Sequence, residues 1–171
     1  QATGFNGIGN ALSNVITGGI AADSLQGDAG NDTLIGGLGD DALDGGAGTD
    51  TASYTSATAR VTVNLATKVS SGAAGVDRLT SIENVIGSSF NDTITGDANA
   101  NQLDGGLGND SISGGLGDDT LIGGLGDDTL AGGGGTNTVS YADTNSTNTL
   151  ALDGLTVLTP GLTGVSIDLS V

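Results

Sequence analysis

Residues 114–131 read GGLGDDTLIGGLGDDTLA, which is one nine-residue unit written twice with a single change. Each copy is a glycine-rich hexapeptide that ends in Asp, followed by a triplet with an aliphatic residue at its centre. Glycine permits the positive φ angles of a tight turn, and a triplet such as Thr120-Leu121-Ile122 suits a short strand whose central side chain points to one side. The unit therefore predicts a turn followed by a strand.

The same unit fills two blocks of the chain, with five copies in residues 9–53 and six in residues 87–140. The sixth place is always Asp or Asn: Asn14, Asp23, Asp32, Asp41, Asp50, Asp92, Asn101, Asp110, Asp119, Asp128 and Asn137. The eighth place is always apolar: Ile16, Leu25, Leu34, Leu43, Ala52, Ile94, Leu103, Ile112, Leu121, Leu130 and Val139. Three-residue strands are stable only when copies stack, so we expect two units per 18-residue coil around a thin aliphatic core.

The composition excludes several classes of function. The chain of 171 residues has a net charge of -17, with 3 basic residues and no Cys or His. It therefore lacks disulfides, thiol nucleophiles, His-based triads and His/Cys zinc sites, and we expect no enzyme. The acidity disfavours nucleic acid as a partner, and no apolar stretch approaches the roughly 18 residues of a membrane span. Glu83 is the only Glu among 20 acidic residues. This bias towards Asp indicates that the short carboxylates stand in the turns, close to backbone oxygens.

With these repeats the chain resembles the RTX (repeats-in-toxin) family of secreted bacterial proteins. The resemblance covers residues 9–53 and 87–140 and extends to the segments VTVNLA, DRLTSIENVIG and SFNDTITG. It implies an all-β fold, a parallel β-roll that is a two-sheet β-solenoid, with calcium ions between stacked turns. It also implies type I export in an unfolded state and folding outside the cell.

The resemblance further implies where the ligands lie. An ion would sit between the turns of units n and n+2, giving about seven sites, held by Asp23, Asp32, Asp41, Asp50, Asp92, Asp110, Asp119 and Asp128. Asn14, Asn101 and Asn137 carry one charge fewer, so their sites should be weaker. Backbone carbonyls are expected from Gly19, Gly30, Gly36, Leu38, Gly45, Ala47, Gly105, Gly106, Leu107, Gly108, Gly114, Gly115, Leu116, Gly117, Gly123, Leu125, Gly132 and Gly134. Leu12, Ala21, Phe90 and Asn99 replace the fourth-place glycine, which makes the Asn14 and Asn101 sites the least secure.

Calcium chemistry agrees with this residue pattern. Ca²⁺ takes about 6–8 oxygens from carboxylates, carbonyls and water. Without metal, stacked carboxylates repel one another, and a thin core leaves an ordering entropy of about 1–2 kcal/mol per residue unmet. We therefore expect calcium binding and folding to be one process.

The remaining segments are expected to extend the roll. Residues 1–8 form an initial segment, and residues 54–86 an irregular β connector that continues the roll, with a strand at Arg60-Val61-Thr62-Val63-Asn64-Leu65. Residues 141–171 are expected to be a second connector and the start of a further cassette. TASY at 51–54 and VTVNL at 61–65 recur as TVSY at 138–141 and VSIDL at 165–169, a superperiod of 104 residues. This recurrence indicates a piece of a longer tandem array.

Three functions remain open for the parent protein. The first is a calcium-rigidified spacer or self-associating segment of a large extracellular or cell-surface protein such as an adhesin, with its own copies or a surface polysaccharide as partners. The second is the folding and export module of a type I-secreted protease, lipase or polysaccharide epimerase. The third is an ice-binding solenoid with outward rows at Thr33, Thr51, Thr93, Thr120, Thr129 and Thr138, broken by Ser24, Ala42, Gln102 and Ser111. The superperiod favours the first.

Overall fold

The computed structural model describes residues 3–140 and the backbone of three further strands at residues 149–151, 155–157 and 166–168. The described part contains nineteen strands in two sheets and no helix. The first sheet holds β1 Asn6–Asn10, β3 Ser24–Asp28, β5 Ala42–Asp44, β7 Val61–Asn64, β8 Val69–Gly72, β9 Arg78–Thr80, β11 Thr93–Thr95, β13 Ser111–Gly115, β15 Thr129–Gly133, β17 Thr149–Ala151 and β19 Ser166–Asp168. The second holds β2 Val15–Thr17, β4 Thr33–Ile35, β6 Thr51–Ser53, β10 Asn84–Ile86, β12 Gln102–Asp104, β14 Thr120–Ile122, β16 Asn137–Ser140 and β18 Leu155–Val157.

Consecutive strands of a block alternate between the two sheets, and each pairs in parallel with the strand one coil ahead. Leu103 is in register with Leu121, and Ile112 with Leu130, so one coil takes 18 residues. The predicted parallel β-roll, with two nonapeptides per coil, is confirmed.

The core is a row of eighth-place side chains from each sheet. Leu25, Leu34, Leu43, Ala52, Ile94, Leu103, Ile112, Leu121, Leu130 and Val139 are at most 2% exposed. Ile16, on the outermost strand of the second sheet, is only partly buried against them. The core is two side chains thick, so the turns on both edges lie close to the buried interior.

Residues 54–86 join the blocks with a different pairing. β7 lies where the alternating stretch predicted a strand, but the chain then reverses and β8 pairs antiparallel with both β7 and β9. The first sheet therefore runs β5-β9-β8-β7-β11, whereas the second runs β6-β10-β12 without an insertion. The hairpin of β7 and β8 thus widens one sheet only, and Val61, Val63 and Leu79 extend the core beneath it.

Two further sequence predictions, the second cassette and the threonine rows, concern residues that the structure describes at least in part. Of the predicted second cassette, β16 and β19 are described, while Tyr141, Val165 and Leu169 lie outside the described residues. The threonine row of the second sheet is interrupted, reading Val15, Thr33, Thr51, Asn84, Gln102, Thr120 and Thr138 through successive pairs. No helix in the described residues has the length and apolarity that a membrane crossing requires.

Candidate metal sites at the stacked turns

The sixth-place side chains form a ladder along each edge of the roll. The first ladder consists of Asp23, Asp41, Asp92, Asp110 and Asp128, and the second of Asn14, Asp32, Asp50, Asn101, Asp119 and Asn137. All of them except the partly buried Asn14 are at most 5% exposed. Within each block the fold therefore brings together the carboxylates that the sequence predicted as ligands.

In each ladder, the Oδ1 oxygen of a sixth-place side chain accepts a hydrogen bond from a backbone N–H of the preceding coil. The backbone N–H of Asp23 donates to Asp41 Oδ1 at 2.8 Å, and that of Asp110 donates to Asp128 Oδ1 at 2.9 Å. The pairs Asn14/Asp32, Asp32/Asp50, Asp92/Asp110, Asn101/Asp119 and Asp119/Asn137 repeat the contact at 2.7–2.9 Å. The Oδ1 atoms are thus committed to the backbone.

The second carboxylate oxygen has no such partner in much of the ladders. Oδ2 of Asp32, Asp41, Asp50, Asp110 and Asp119 is buried and has no hydrogen-bond partner among the described residues. An ionised oxygen buried in this way is costly unless a cation or a proton compensates it. The basic residues of the chain are Arg60, Lys68 and Arg78, and all three lie in the connector, so neither block supplies a cation of its own.

The pKa values of two of these carboxyls show the same cost of burying an ionised oxygen. Burial raises the pKa of Asp110 to about 7, and the charges of Asp128 and Asp92 add to the effect of burial. Burial likewise raises the pKa of Asp41 to about 6, with the charge of Asp77 next among the raising influences. A bound cation reverses this balance because it stabilises the ionised form.

The first-place glycines leave room for oxygens. A Cβ added to Gly105 would lie 2.7 Å from the carbonyl oxygen of Gly123 and would overlap Asp110 Oδ2. Gly114 faces Gly132 O and Asp119 Oδ2 in the same way. The missing side chain thus allows a buried carboxylate oxygen and a carbonyl of the next coil to approach one point.

Six of the predicted carbonyl ligands lie beside a first-place glycine of the preceding coil and near a sixth-place side-chain oxygen. They belong to Gly36, Gly45, Gly105, Gly114, Gly123 and Gly132. The carbonyls of Gly19, Ala47, Gly106, Gly115 and Leu125 accept backbone N–H groups of the neighbouring coil at 2.8–2.9 Å. The carbonyls of Gly30, Gly108 and Gly117 lie against the fourth-place glycine of the next coil. Leu38, Leu107, Leu116 and Gly134 occupy the third place of their turns, and the first three are exposed.

The fourth-place departures have a steric explanation. Gly108 has φ 118°, and a Cβ added there would lie 2.6 Å from the carbonyl carbon of Phe90, one coil earlier. A fourth-place side chain is therefore excluded where the fourth-place backbone of another nonapeptide lies beneath it. Leu12, Ala21, Phe90 and Asn99 belong to the first two units of each block, and Gly30, Gly39, Gly108 and Gly117 of the following coil pack onto them.

The structure adds two carboxylates that the sequence reasoning missed as members of the ladders. Asp77 Oδ1 accepts the N–H of Asp41 at 3.1 Å, and Glu83 Oε2 accepts the N–H of Asp50 at 2.8 Å. The signal for Asp77 was present, since residues 72–80 read GAAGVDRLT and fit the nonapeptide apart from Ala73 at its second place. For Glu83 the turn is shortened to Ser81-Ile82-Glu83, so no glycine frame marks it.

The donor set is of a kind that suits calcium. Among the described residues, no group of three or more His, Cys, Asp or Glu side chains gathers at one point. A site between the turns is instead limited to about two carboxylates and must draw on backbone oxygens. Hard oxygen donors of this kind are what Ca²⁺ selects, and the buried Oδ2 atoms fit a cation.

The fold and its turns define a β-solenoid whose edges are lined with oxygen donors. Residues 17–52, 79–112 and 104–139 match the family described as the RTX calcium-binding nonapeptide repeat (four copies). The match spans more than half of the chain, so the chain belongs to this family, and the repeats imply calcium binding.

No curated protein sequence matches the chain. Among solved structures, the extracellular lipase LipA from Serratia marcescens is similar with a TM-score of 0.38 and 17% identity, over 95% of this chain and 34% of the lipase chain. The chain thus spans about a third of that lipase, and a similarity at this level supports no argument about function.

Proposed function

We propose that this calcium-binding repeat region folds when calcium binds between its stacked turns outside the cell, and then acts as a rigid spacer in a larger secreted or cell-surface protein. The observation that carries the proposal is the set of buried Oδ2 atoms that have no hydrogen-bond partner in the described part of the chain, in blocks that contain no basic residue. Such a stack is unfavourable when ionised and metal-free, and it becomes favourable once a cation shares its oxygens.

The ions would be held by pairs of sixth-place residues one coil apart. The all-Asp pairs are Asp23/Asp41, Asp32/Asp50, Asp92/Asp110 and Asp110/Asp128. The pairs Asn14/Asp32, Asn101/Asp119 and Asp119/Asn137 have one charge fewer and are proposed to bind more weakly. Calcium, when bound, supplies the positive charge that these carboxylates lack, and first-place carbonyls complete its oxygen shell.

Coupling to folding follows from the small core. Each unit contributes one fully buried apolar side chain, such as Leu103 or Leu121, for nine residues that must be ordered. Burial of one such side chain yields about 1.5–3 kcal/mol, whereas ordering nine residues costs several times that amount. The backbone ladders offset part of the difference, and metal binding is proposed to supply the rest.

The spacer role is supported by the continuity of the second sheet and the second ladder. β6 pairs with β10 and β10 pairs with β12, so the second sheet passes the connector without a break. Glu83 links the two blocks along the same edge. Its side chain accepts a hydrogen bond from the N–H of Asp50, and its backbone carbonyl accepts one from Asn101 Nδ2 at 2.9 Å. The two blocks are thus joined as one stack along this edge.

Far-UV circular dichroism during a calcium titration of the chelator-treated chain tests coupled folding, with magnesium as the control. We expect a cooperative gain of β signal with calcium and none with magnesium, because Mg²⁺ keeps its water and demands a stricter geometry. A chain already ordered in chelator and insensitive to calcium would refute the proposal. Small-angle scattering of the calcium-loaded chain tests the spacer, for which we expect one rigid elongated particle rather than two bodies on a flexible joint.

A further inference from the structure

The connector, residues 54–86, holds a large share of the buried apolar core. Nineteen apolar side chains of the described residues are buried, and ten of them lie in the two blocks, at most one to each nine-residue unit. The other nine lie in the connector: Tyr54, Ala57, Val61, Val63, Leu65, Ala74, Leu79, Ile82 and Val85. Residue for residue, the connector is therefore much richer in buried apolar side chains than either block.

The connector also lacks the charge that opposes metal-free folding of the blocks. It contains three basic and two acidic residues, a net charge of +1, whereas the first block has seven Asp, the second has eight, and neither has a basic residue. The two acidic residues are Asp77 and Glu83, and Asp77 Oδ2 accepts the Ser70 hydroxyl at 2.7 Å, a bond made within the connector. Mutual repulsion of carboxylates is therefore small in this segment.

The contacts of the connector are local in sequence. The residues that β7 and β8 pair with each other are 5–11 positions apart, whereas partners in the parallel ladders of a block are 18 apart. The chain reversal is held by Lys68, whose N–H donates to Leu65 O at 3.2 Å and whose carbonyl accepts the N–H of Leu79 at 2.9 Å. Shorter loops cost less entropy to close, so this hairpin can form before the coils on either side of it.

The connector contributes strands to both sheets, so it can enclose a core of its own. β7, β8 and β9 lie in the first sheet, and β10 lies in the second. Val63 of β7, Leu79 of β9 and Val85 of β10 are at most 2% exposed and belong to one apolar cluster. A nonapeptide has one strand and one such side chain, and it needs neighbouring coils to bury that side chain. The connector therefore depends less on its neighbours for burial than a repeat unit does.

We propose that the connector is a calcium-independent folding nucleus, from which calcium-driven stacking spreads into both blocks. β9 pairs in parallel with β5, β7 with β11, and β10 with both β6 and β12, so each block meets a strand of the connector in both sheets. The first coil of a solenoid is the hardest to form because it has no neighbour, and pairing with strands already formed lowers that cost. The proposal rests on the calcium-coupled folding proposed above and adds where that folding begins.

Hydrogen exchange of the whole chain, followed by mass spectrometry, locates structure that exists without calcium. In chelator at pH 8, after correction for intrinsic rates, we expect the amides of residues 61–80 to exchange at least about tenfold more slowly than those of residues 105–131. At partial calcium saturation, protection should appear first at β5, β6, β11 and β12, which adjoin the connector. Equally fast exchange throughout the chain in chelator, or protection that starts at the far ends of the blocks, would overturn the nucleus and leave calcium-coupled folding intact.

A matched pair of core variants tests whether folding starts in the connector. Leu79→Ala truncates a buried side chain of the connector and Leu121→Ala one of the second block, and the two leucines are 2% and 0% exposed. Calcium is added to the metal-free chain in stopped-flow circular dichroism. We expect Leu79→Ala to slow folding about tenfold and Leu121→Ala by less than about twofold, because the contacts of a nucleus are already formed in the transition state. Equal slowing by both variants, or slowing by Leu121→Ala alone, would contradict the nucleus.

A milder pair of variants covers the case in which Leu79→Ala gains no β signal at saturating calcium. Leu79→Val and Leu121→Val each keep a branched apolar side chain, and Leu79→Val is expected to be the slower of the two to fold. In chelator, Leu79→Val should also reduce the protection of residues 61–80, which Leu121→Val should leave unchanged. Loss of this contrast would overturn the nucleus. Full protection of both blocks in chelator would instead count against the proposed function itself.

Discussion

Replacing Asp110 by Asn should have opposite effects on the metal-free and the calcium-bound chain. Asp110 is the central carboxylate of the triplet that Asp92 and Asp128 complete, and burial with these charges raises its pKa from 3.8 to about 7. Each factor of ten in a protonation constant is worth about 1.4 kcal/mol, so keeping Asp110 ionised in a metal-free roll costs on the order of 4 kcal/mol. Asn carries no charge and avoids this cost.

The sign of the effect depends on pH. A carboxyl whose pKa is raised on folding stabilises the fold fully below about pH 3.8, and this contribution is lost as the pH rises through about 7. In chelator at pH 8, Asp110→Asn should therefore retain more β structure and unfold at higher urea than the unmutated chain. At pH 4 the two should be alike. In calcium at pH 8, calcium should bind about tenfold more weakly at each of the two proposed sites that lose a charge, Asp92/Asp110 and Asp110/Asp128.

Asp118→Asn is the matched control. Asp118 is an exposed fifth-place residue whose Oδ1 accepts the N–H of Thr136 at 2.7 Å, a contact that an amide oxygen can keep. The net charge changes equally in both variants, so general repulsion cancels in the comparison. The reasoning would be refuted if Asp110→Asn were no more ordered than Asp118→Asn in chelator, or if the two variants bound calcium with the same affinity at every site.

Three further predictions address turns, core and protons. Gly108→Ala should destabilise the calcium-loaded chain by about 1–3 kcal/mol in urea unfolding, because Gly108 has φ 118° and no room for a Cβ. Gly19→Ala should cost little, and equal costs for the two variants would contradict the stacking argument. Leu121→Ala should cost about 2–5 kcal/mol, while Leu116→Ala, 61% exposed in a turn, should change stability by less than about 0.5 kcal/mol. Lowering the pH from 8 to 6 should raise the calcium midpoint in circular dichroism, because protons compete with calcium for carboxyls such as Asp41, whose pKa burial raises to about 6. A constant midpoint would show that calcium displaces no proton.

The regular part of the fold is readable from sequence because each residue of the unit has one structural demand. The eighth place of the blocks predicted ten fully buried core positions, and Ile16 is the exception because β2 is the outermost strand of the second sheet in the described residues. The period of nine predicted the pairing as well, since a coil of 18 residues sets Leu103 beside Leu121. Repetition converts a local pattern into a long-range register, which a non-repetitive sequence cannot do.

The connector shows where this logic ends. The alternation of Val61 and Val63 predicts a strand, but it does not determine that strand's partner or direction. β8 reads Val69-Ser70-Ser71-Gly72, with little apolar alternation, and its antiparallel place is fixed by the reversal at residues 65–68, where Lys68 adopts φ 61°. Asp77 was missed because the frame resumes for one unit only, and because its partner Asp41 lies 36 residues away rather than 18.

The substitutions at the fourth place show how the demands of a repeat depend on its position in the stack. Gly108 must be glycine because Phe90 of the preceding coil lies beneath it, whereas Phe90 itself adopts no left-handed φ. The steric requirement therefore runs in one direction, from each turn to the one that follows. A fourth-place residue other than glycine marks the first turn of a block on its edge, where no fourth-place backbone of a nonapeptide lies beneath it, and it does not argue against a cation between that turn and the next. By this reasoning the weakness proposed for the Asn101 site comes from its missing charge and not from the shape of its turn.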